Sequence, residues 1–166
     1  FEFVIPAMKK INCRLVICGD GNFMPSLKQL ILQNEVGHKI ELKGMLPPEQ
    51  LAGIAKEAYL GIALAENEGL NQYLALPNKF FDYLHAGLPQ LTMNFPEYIA
   101  INNQFQVAVL LDNLEPERIA EMVNNLLVND VLHNTLKENC EVARQKLNWQ
   151  NEEKKLLAFY KRVFTN

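Results

Sequence analysis

Short, continuous apolar runs alternate along this chain with segments of helical spacing, and that alternation restricts the fold more than any other feature. Leu15-Val16-Ile17-Cys18 is the clearest run; Gly19-Asp20-Gly21 ends it, and Leu27, Leu30, Ile31 and Val36 then trace one face of a helix before Ile40-Glu41-Leu42 resumes as a strand. This is a βαβ unit. A strand that is apolar on consecutive positions is buried on both faces, which is the pattern of a parallel sheet covered by helices rather than of a half-exposed antiparallel one. The rest of the chain continues the alternation. Phe3, Val4, Ala7, Met8 and Ile11 have helical spacing ahead of the first strand. Pro47 or Pro48 opens a helix running to about Ala58, and residues 59–64 form the next buried strand. Pro77 opens a helix with Phe80, Phe81, Leu84 and Ala86 on its apolar face, and Gly87 with Pro89 ends it. Strands follow over residues 90–93 and 107–111. Glu115-Pro116-Glu117 then starts a helix carrying Ile119, Met122, Val123 and Leu126, and helices over 130–147 and 150–164 close the chain. The fold class that follows is α/β, a Rossmann-like parallel sheet with helices on both faces and right-handed crossovers, ending in C-terminal helices. There is no internal repeat.

With 166 residues, 49% of them hydrophobic, the chain is a single domain over 1–166. Its net charge of -3 creates no field that would recruit nucleic acid or an anionic membrane. Cys13, Cys18 and Cys140 have no metal-ligand spacing and suit reduced thiols in the cytoplasm. No apolar run is long enough to span a bilayer, and no signal peptide opens the chain. It begins without methionine inside Phe1-Glu2-Phe3-Val4-Ile5, which reads as an excised fragment.

In an open parallel sheet, ligands bind beyond the carboxyl ends of the strands, so the loops after Cys18, Leu42, Leu64 and Met93 are the candidates. Gly19 and Gly21 let backbone approach a ligand closely, although the third glycine of a dinucleotide fingerprint is missing and a tight turn without ligand contact fits equally. The helix start at Pro77-Asn78-Lys79 combines free N–H groups, the helix dipole and an ammonium, a combination suited to phosphate; an ordinary proline-led helix start reads the same way. One turn on, Asp82 has the chemistry to accept from the vicinal hydroxyls of a ribose or to complement the dipole. Residues 65–76 are the longest irregular stretch, and Glu66, Glu68 and Asn71 there suit sugar hydroxyls or a solvated loop. His38, His85 and His133 are far apart, and there is no nucleophile elbow, Walker loop or zinc-protease motif. No catalytic residue is assigned, and neither metal nor cofactor is expected.

The order of these pieces resembles the carboxyl-terminal domain of GT-B glycosyltransferases, two facing Rossmann domains, and in particular glycosyltransferase family 4, the group 1 glycosyl transferases. The likeness covers nearly the whole chain and rests on residues 15–21, on Ile40-Glu41-Leu42-Lys43-Gly44 with Met45 and Leu46, and above all on Pro77-Asn78-Lys79-Phe80-Phe81-Asp82-Tyr83-Leu84-His85-Ala86-Gly87-Leu88-Pro89. The resemblance implies base binding through backbone groups at Gly44, Met45 and Leu46. It also implies diphosphate binding at Leu76, Pro77, Asn78 and Lys79, and ribose binding at Asp82. The implied reaction is metal-free transfer, with retention, of a sugar from a nucleoside diphosphate donor to a glycan, lipid-linked or small acceptor, as in polysaccharide biosynthesis. The implied setting is the cytoplasm, with attachment to the inner membrane through the absent domain.

Two departures qualify the likeness. Family members carry two glutamates eight positions apart, but Leu74 stands eight before Asp82, so Glu66 or Glu68 substitutes or the contact is absent. The family's domain also opens with a strand and a cationic, glycine-rich turn that this chain lacks, as it lacks the acceptor domain; the isolated fragment is therefore expected to be inactive. A nucleotide-sugar epimerase of the same fold, or a nucleotide- or protein-binding module without chemistry, are the rival readings. Leu147, Trp149, Leu156, Leu157, Phe159 and Tyr160 either pack on this domain or reach the absent one, and uncovered apolar surface would favour dimers.

Overall fold

The computed structural model describes residues 1–164. Helix α1 is a single turn (Val4–Ala7), shorter than the helical spacing over 1–11 predicts. The apolar residues found by that spacing are still buried, with Ile5, Ala7, Met8 and Ile11 almost inaccessible. The Lys39 ammonium donates to the carbonyls of Met8 (3.0 Å) and Ile11 (2.7 Å), satisfying acceptors that a longer helix would have used internally.

Strand β1 (Leu15–Cys18) leads through α2 (Met24–Gln33) and a 3₁₀ turn (Gly37–Lys39) to β2 (Ile40–Gly44). The pairing is parallel from Leu15 opposite Ile40, and its register slips between Ile17 and Cys18, so that Cys18 stands opposite Gly44. Gly44 absorbs the slip with φ +65°, and its carbonyl accepts from Gly19 N at 2.7 Å. Helix α2 stops before Val36, where Glu35 takes φ 60°, yet Val36 is buried as the spacing expects.

The second half runs α3 (Pro48–Glu57), β3 (Gly61–Ala63), α4 (Leu70–Tyr73), α5 (Asn78–His85), β4 (Gln90–Met93), α6 (Pro96–Phe105), β5 (Ala108–Leu111), α7 (Pro116–Val128), α8 (Asp130–Lys146) and α9 (Trp149–Phe164). Strands β3, β4 and β5 form a parallel sheet in that order, with Gly61 opposite Gln90 and Gln90 opposite Ala108. Helices cover both sides. The sequence predicts one sheet; among the described residues the strands form two, β1 pairing with β2 and not with β3. Tyr83 of α5 sits between the two, its ring against Gly61 and its hydroxyl pKa pushed up by burial, then by the nearby Cys18 and Asp82.

The core lies between the β3–β5 sheet and the helices. Phe80 and Leu84 from α5, Leu91 from β4, Leu111 from β5 and Ile119 from α7 are all inaccessible or nearly so. Strand β4 is buried at every position, as its central place requires. Gln90 Nε2 donates to the Phe80 carbonyl at 2.9 Å, while Gln90 Oε1 and Thr92 Oγ1 have no hydrogen-bond partner among the described residues.

Helix α6 is not foreseen by periodicity. Its apolar face is interrupted by Asn102, Asn103 and Gln104, and what holds it is Tyr98 packed against Phe80 and Phe95, together with a side-chain stop at Asn102. At the other end of the chain, α9 has no buried residue, and Leu156, Leu157, Phe159, Tyr160 and Val163 lie open on it. Among the described residues no helix is long and apolar enough to cross a membrane.

Candidate functional site

The carboxyl ends of β3, β4 and β5 open into one cavity of about 560 Å³. Glu66, Asn67 and Glu68 leave β3; Asn94 and Phe95 leave β4; Asp112 and Asn113 leave β5, and Tyr73 from α4 closes the side. Parallel pairing alone puts these loops together, because all three strands point the same way. The Tyr73 ring rests on Phe95 with centroids 5.4 Å apart. Asn113 Oδ1 accepts from Glu115 N at 3.0 Å, and Asp112 accepts from Arg118 Nε at 3.3 Å. The Asp112 backbone amide, then the Arg118 guanidinium, hold the Asp112 carboxyl below the usual carboxylate range, so it is ionised at neutral pH. The side chains of Glu66, Asn67, Glu68 and Asn94 have no protein partner among the described residues and are free to meet a ligand.

Glu66 and Glu68 line this cavity, in the loop where sequence reasoning sought a site, whereas Asn71 on α4 is exposed and is not part of its lining. Residues 65–76 are not wholly irregular, since Leu70–Tyr73 make a helical turn. Asn94, Asp112 and Asn113 were missed. The rule that selected the loops after the other strands would have found Asp112 and Asn113 had it been applied to the strand ending at Leu111.

The start of α5 is a separate feature. Pro77, with ψ 153°, occupies the position before the helix, so that Asn78 is the first helical residue. Among the described residues Asn78 N and Lys79 N make no backbone hydrogen bond, and the exposed side chains of Lys79 and Asp82 have no hydrogen-bond or ion-pair partner. The opposite face anchors the helix through Phe80 and Leu84. Leu76 is half-buried just before it.

Beyond β1 and β2, Gly19 and Gly21 both take positive φ, and a Cβ at either would meet nothing within 4 Å, so there is open space over both, while the Gly19 amide donates to the Gly44 carbonyl and the Gly21 amide to Asp20 Oδ1. Met45 is 74% exposed, while Leu46 lines a second, shallow cavity of about 460 Å³ with Lys43 and Gln50. Neither cavity is lined by Lys79 or Asp82, so the residues expected to meet base, phosphate and sugar do not share one pocket. The histidines are accounted for otherwise. His133 stacks on Tyr59 with centroids 3.7 Å apart and meets the Tyr59 carbonyl through Nε2 at 2.9 Å, while His38 and His85 are exposed. Among the described residues no group of His, Cys, Asp and Glu is placed to hold a metal.

No curated protein matches the chain in sequence. Solved structures match in fold. Anabaena HepE in complex with UDP superposes with a TM-score of 0.84 at 12% identity, over 96% of this chain and 44% of that one. Sucrose-phosphate synthase from Thermosynechococcus elongatus gives 0.80 at 18%, over 99% of this chain and 42% of that one. WaaG, a glycosyltransferase involved in lipopolysaccharide biosynthesis, gives 0.71 at 16%, over 89% and 39%. The chain thus spans less than half the length of each, and its fold is the carboxyl-terminal half of a GT-B architecture. The model of the family described as glycosyl transferases group 1 matches residues 1–145, and this chain belongs to that family.

Proposed function

We propose that this chain is the donor-nucleotide half of a longer glycosyltransferase, which moves a sugar from a nucleoside diphosphate to a glycan, lipid-linked or small acceptor. The observation that carries the reading is the start of α5, where the free amides of Asn78 and Lys79, the Lys79 ammonium and the positive end of the helix dipole converge beside an unpartnered Asp82. A diphosphate lies against the helix start, and its developing charge in the transition state is stabilised there without a metal. Asp82, one turn further, accepts from the ribose hydroxyls, and the base lies on the backbone of Gly44, Met45 and Leu46, with Gly19 and Gly21 leaving room at the neighbouring loop. The sugar extends toward Glu66 and Glu68. HepE, of the same fold, is seen with UDP and, in a second structure, with UDP and glucose, which supports a donor of this class.

The acceptor site and the remaining cationic contacts belong to a separate strand and domain of the same longer polypeptide, which would also carry any attachment to a membrane. Alone, this chain transfers no sugar, and transfer in the full protein retains the anomeric configuration. Apolar residues on α9 are available to the other domain or to a second copy.

Titration calorimetry with UDP, GDP and ADP tests the reading. One of the three is expected to bind weakly, and Lys79→Ala and Asp82→Ala each to abolish that binding. Nucleotide binding that neither substitution alters would place the site elsewhere.

A further inference from the structure

We infer that the cavity at the ends of β3, β4 and β5 selects the donor by the charge of its sugar, taking a neutral or amino hexose and excluding a hexuronate. The inference rests on the donor reading above and adds to it the residues that discriminate.

The two halves of the proposed site have opposite electrostatic character. The α5 start offers amide N–H groups and Lys79, whereas the cavity presents the carboxylates of Glu66, Glu68 and Asp112 with no lysine, arginine or histidine side chain among its lining. Arg118, the cation that meets Asp112, is shared between Asp112 at 3.3 Å and Glu121 at 2.9 Å. A diphosphate is therefore repelled from the cavity and held at the helix. The sugar end of the same donor meets groups that only accept, the carboxylates, beside the amides of Asn67, Asn94 and Asn113, which both donate and accept. Vicinal hydroxyls satisfy such a set, each carboxylate taking O–H donors and each amide reaching a ring or hydroxyl oxygen. Tyr73 adds an apolar wall for the C–H face of a sugar ring. At about 560 Å³ the space is within the range of small-ligand sites.

A carboxylate on the sugar would face Glu66 and Glu68, which have no cationic partner among the described residues, and Asp112, whose cation Arg118 is shared with Glu121 and stands outside the lining; like charges so placed lower the affinity of a wrong partner. An ammonium on the sugar would instead gain.

The test is direct titration of this chain with a diphosphate, its neutral hexose derivative and its hexuronate: UDP, UDP-glucose and UDP-glucuronate, or GDP, GDP-mannose and GDP-mannuronate, as the nucleotide requires. The neutral sugar nucleotide is expected to bind at least about tenfold more tightly than the uronate. Asp112→Asn and Glu68→Gln, which keep size and shape but replace a charged acceptor by a neutral amide, are each expected to narrow that ratio while leaving the affinity for the bare diphosphate unchanged. Equal binding of hexose and hexuronate, or a ratio that neither substitution moves, overturns the inference while the bare diphosphate still binds through Lys79 and Asp82. Failure of every diphosphate to bind overturns the donor reading and this inference with it.

Discussion

The ring of Tyr83 lies so close over Gly61 that a Cβ at position 61 would come within 2.5 Å of its Cδ2 atom. Gly61 opens β3, and Tyr83 follows Asp82 on α5, so this contact sets how near the helix can lie to the sheet. Gly61→Ala is expected to destabilise the domain by about 1–3 kcal/mol through overpacking, read as a lower urea midpoint at unchanged slope. Because the strain falls next to Asp82, nucleotide affinity is expected to drop as well.

Asn102 Oδ1 accepts from both Val107 N and Ala108 N, each at 2.9 Å, and thereby joins the end of α6 to the start of β5 across Gln106 at φ 52°. Removing that oxygen leaves two partly buried donors unpaired. Asn102→Ala is expected to cost about 1–3 kcal/mol, and Asn102→Asp, which keeps the acceptor, to cost less in the same denaturation series.

Cys140 is inaccessible, its thiol directed at the carbonyls of Leu88 (3.7 Å) and Val107 (3.9 Å), and burial, aided by Glu141, pushes its pKa up to about 12. In the native state a thiol reagent at mildly alkaline pH is expected to label Cys13 and Cys18, which are half-buried, and to reach Cys140 only on unfolding. The sign of the pH effect follows from the raised value. The unfolded thiol ionises near the ordinary 9.0 and the folded one does not, so this contribution is intact below pH 9 and is lost as pH rises toward 12. Comparing the alkaline limb of stability for the native chain and Cys140→Ala checks it, the variant showing the shallower fall.

Asn148 and Asn151 side chains donate to carbonyls at the end of α8, whereas residues 152–164 bury nothing. Deleting residues 152–166 is expected to leave the unfolding free energy from urea titration unchanged within about 0.5 kcal/mol, while a deletion reaching Asn148 lowers it. Any self-association of the chain is expected to weaken with the shorter deletion, measured by sedimentation, since exposed Leu156, Leu157, Phe159 and Tyr160 leave with it.

The alternation of apolar runs and amphipathic helices was legible in the order of residues because each element carries its own pattern. Leu15–Cys18 and Gln90–Met93 are strands with the bounds their composition suggests, and α7 buries Ile119, Val123 and Leu126 as their spacing demands. The proline-led start of α5 was legible too, since Pro77 fixes the backbone just before the helix and Lys79 follows within its first turn. Helix α6 was not, because its stability comes from Tyr98 meeting Phe80 and from one asparagine's bonds across the turn, not from a repeating face. Nor was the cavity complete: Glu66 and Glu68 stand out in a polar loop, but Asp112 and Asn113 join them only because β5 pairs beside β4 and β4 beside β3. Likewise, a run such as Leu15–Cys18 declares a strand without declaring its neighbours, and the separation of β1 from β3 is a matter of edges that meet or do not. Periodicity is written along the chain, whereas strand adjacency depends on contacts between residues far apart in it, which only the packed structure decides.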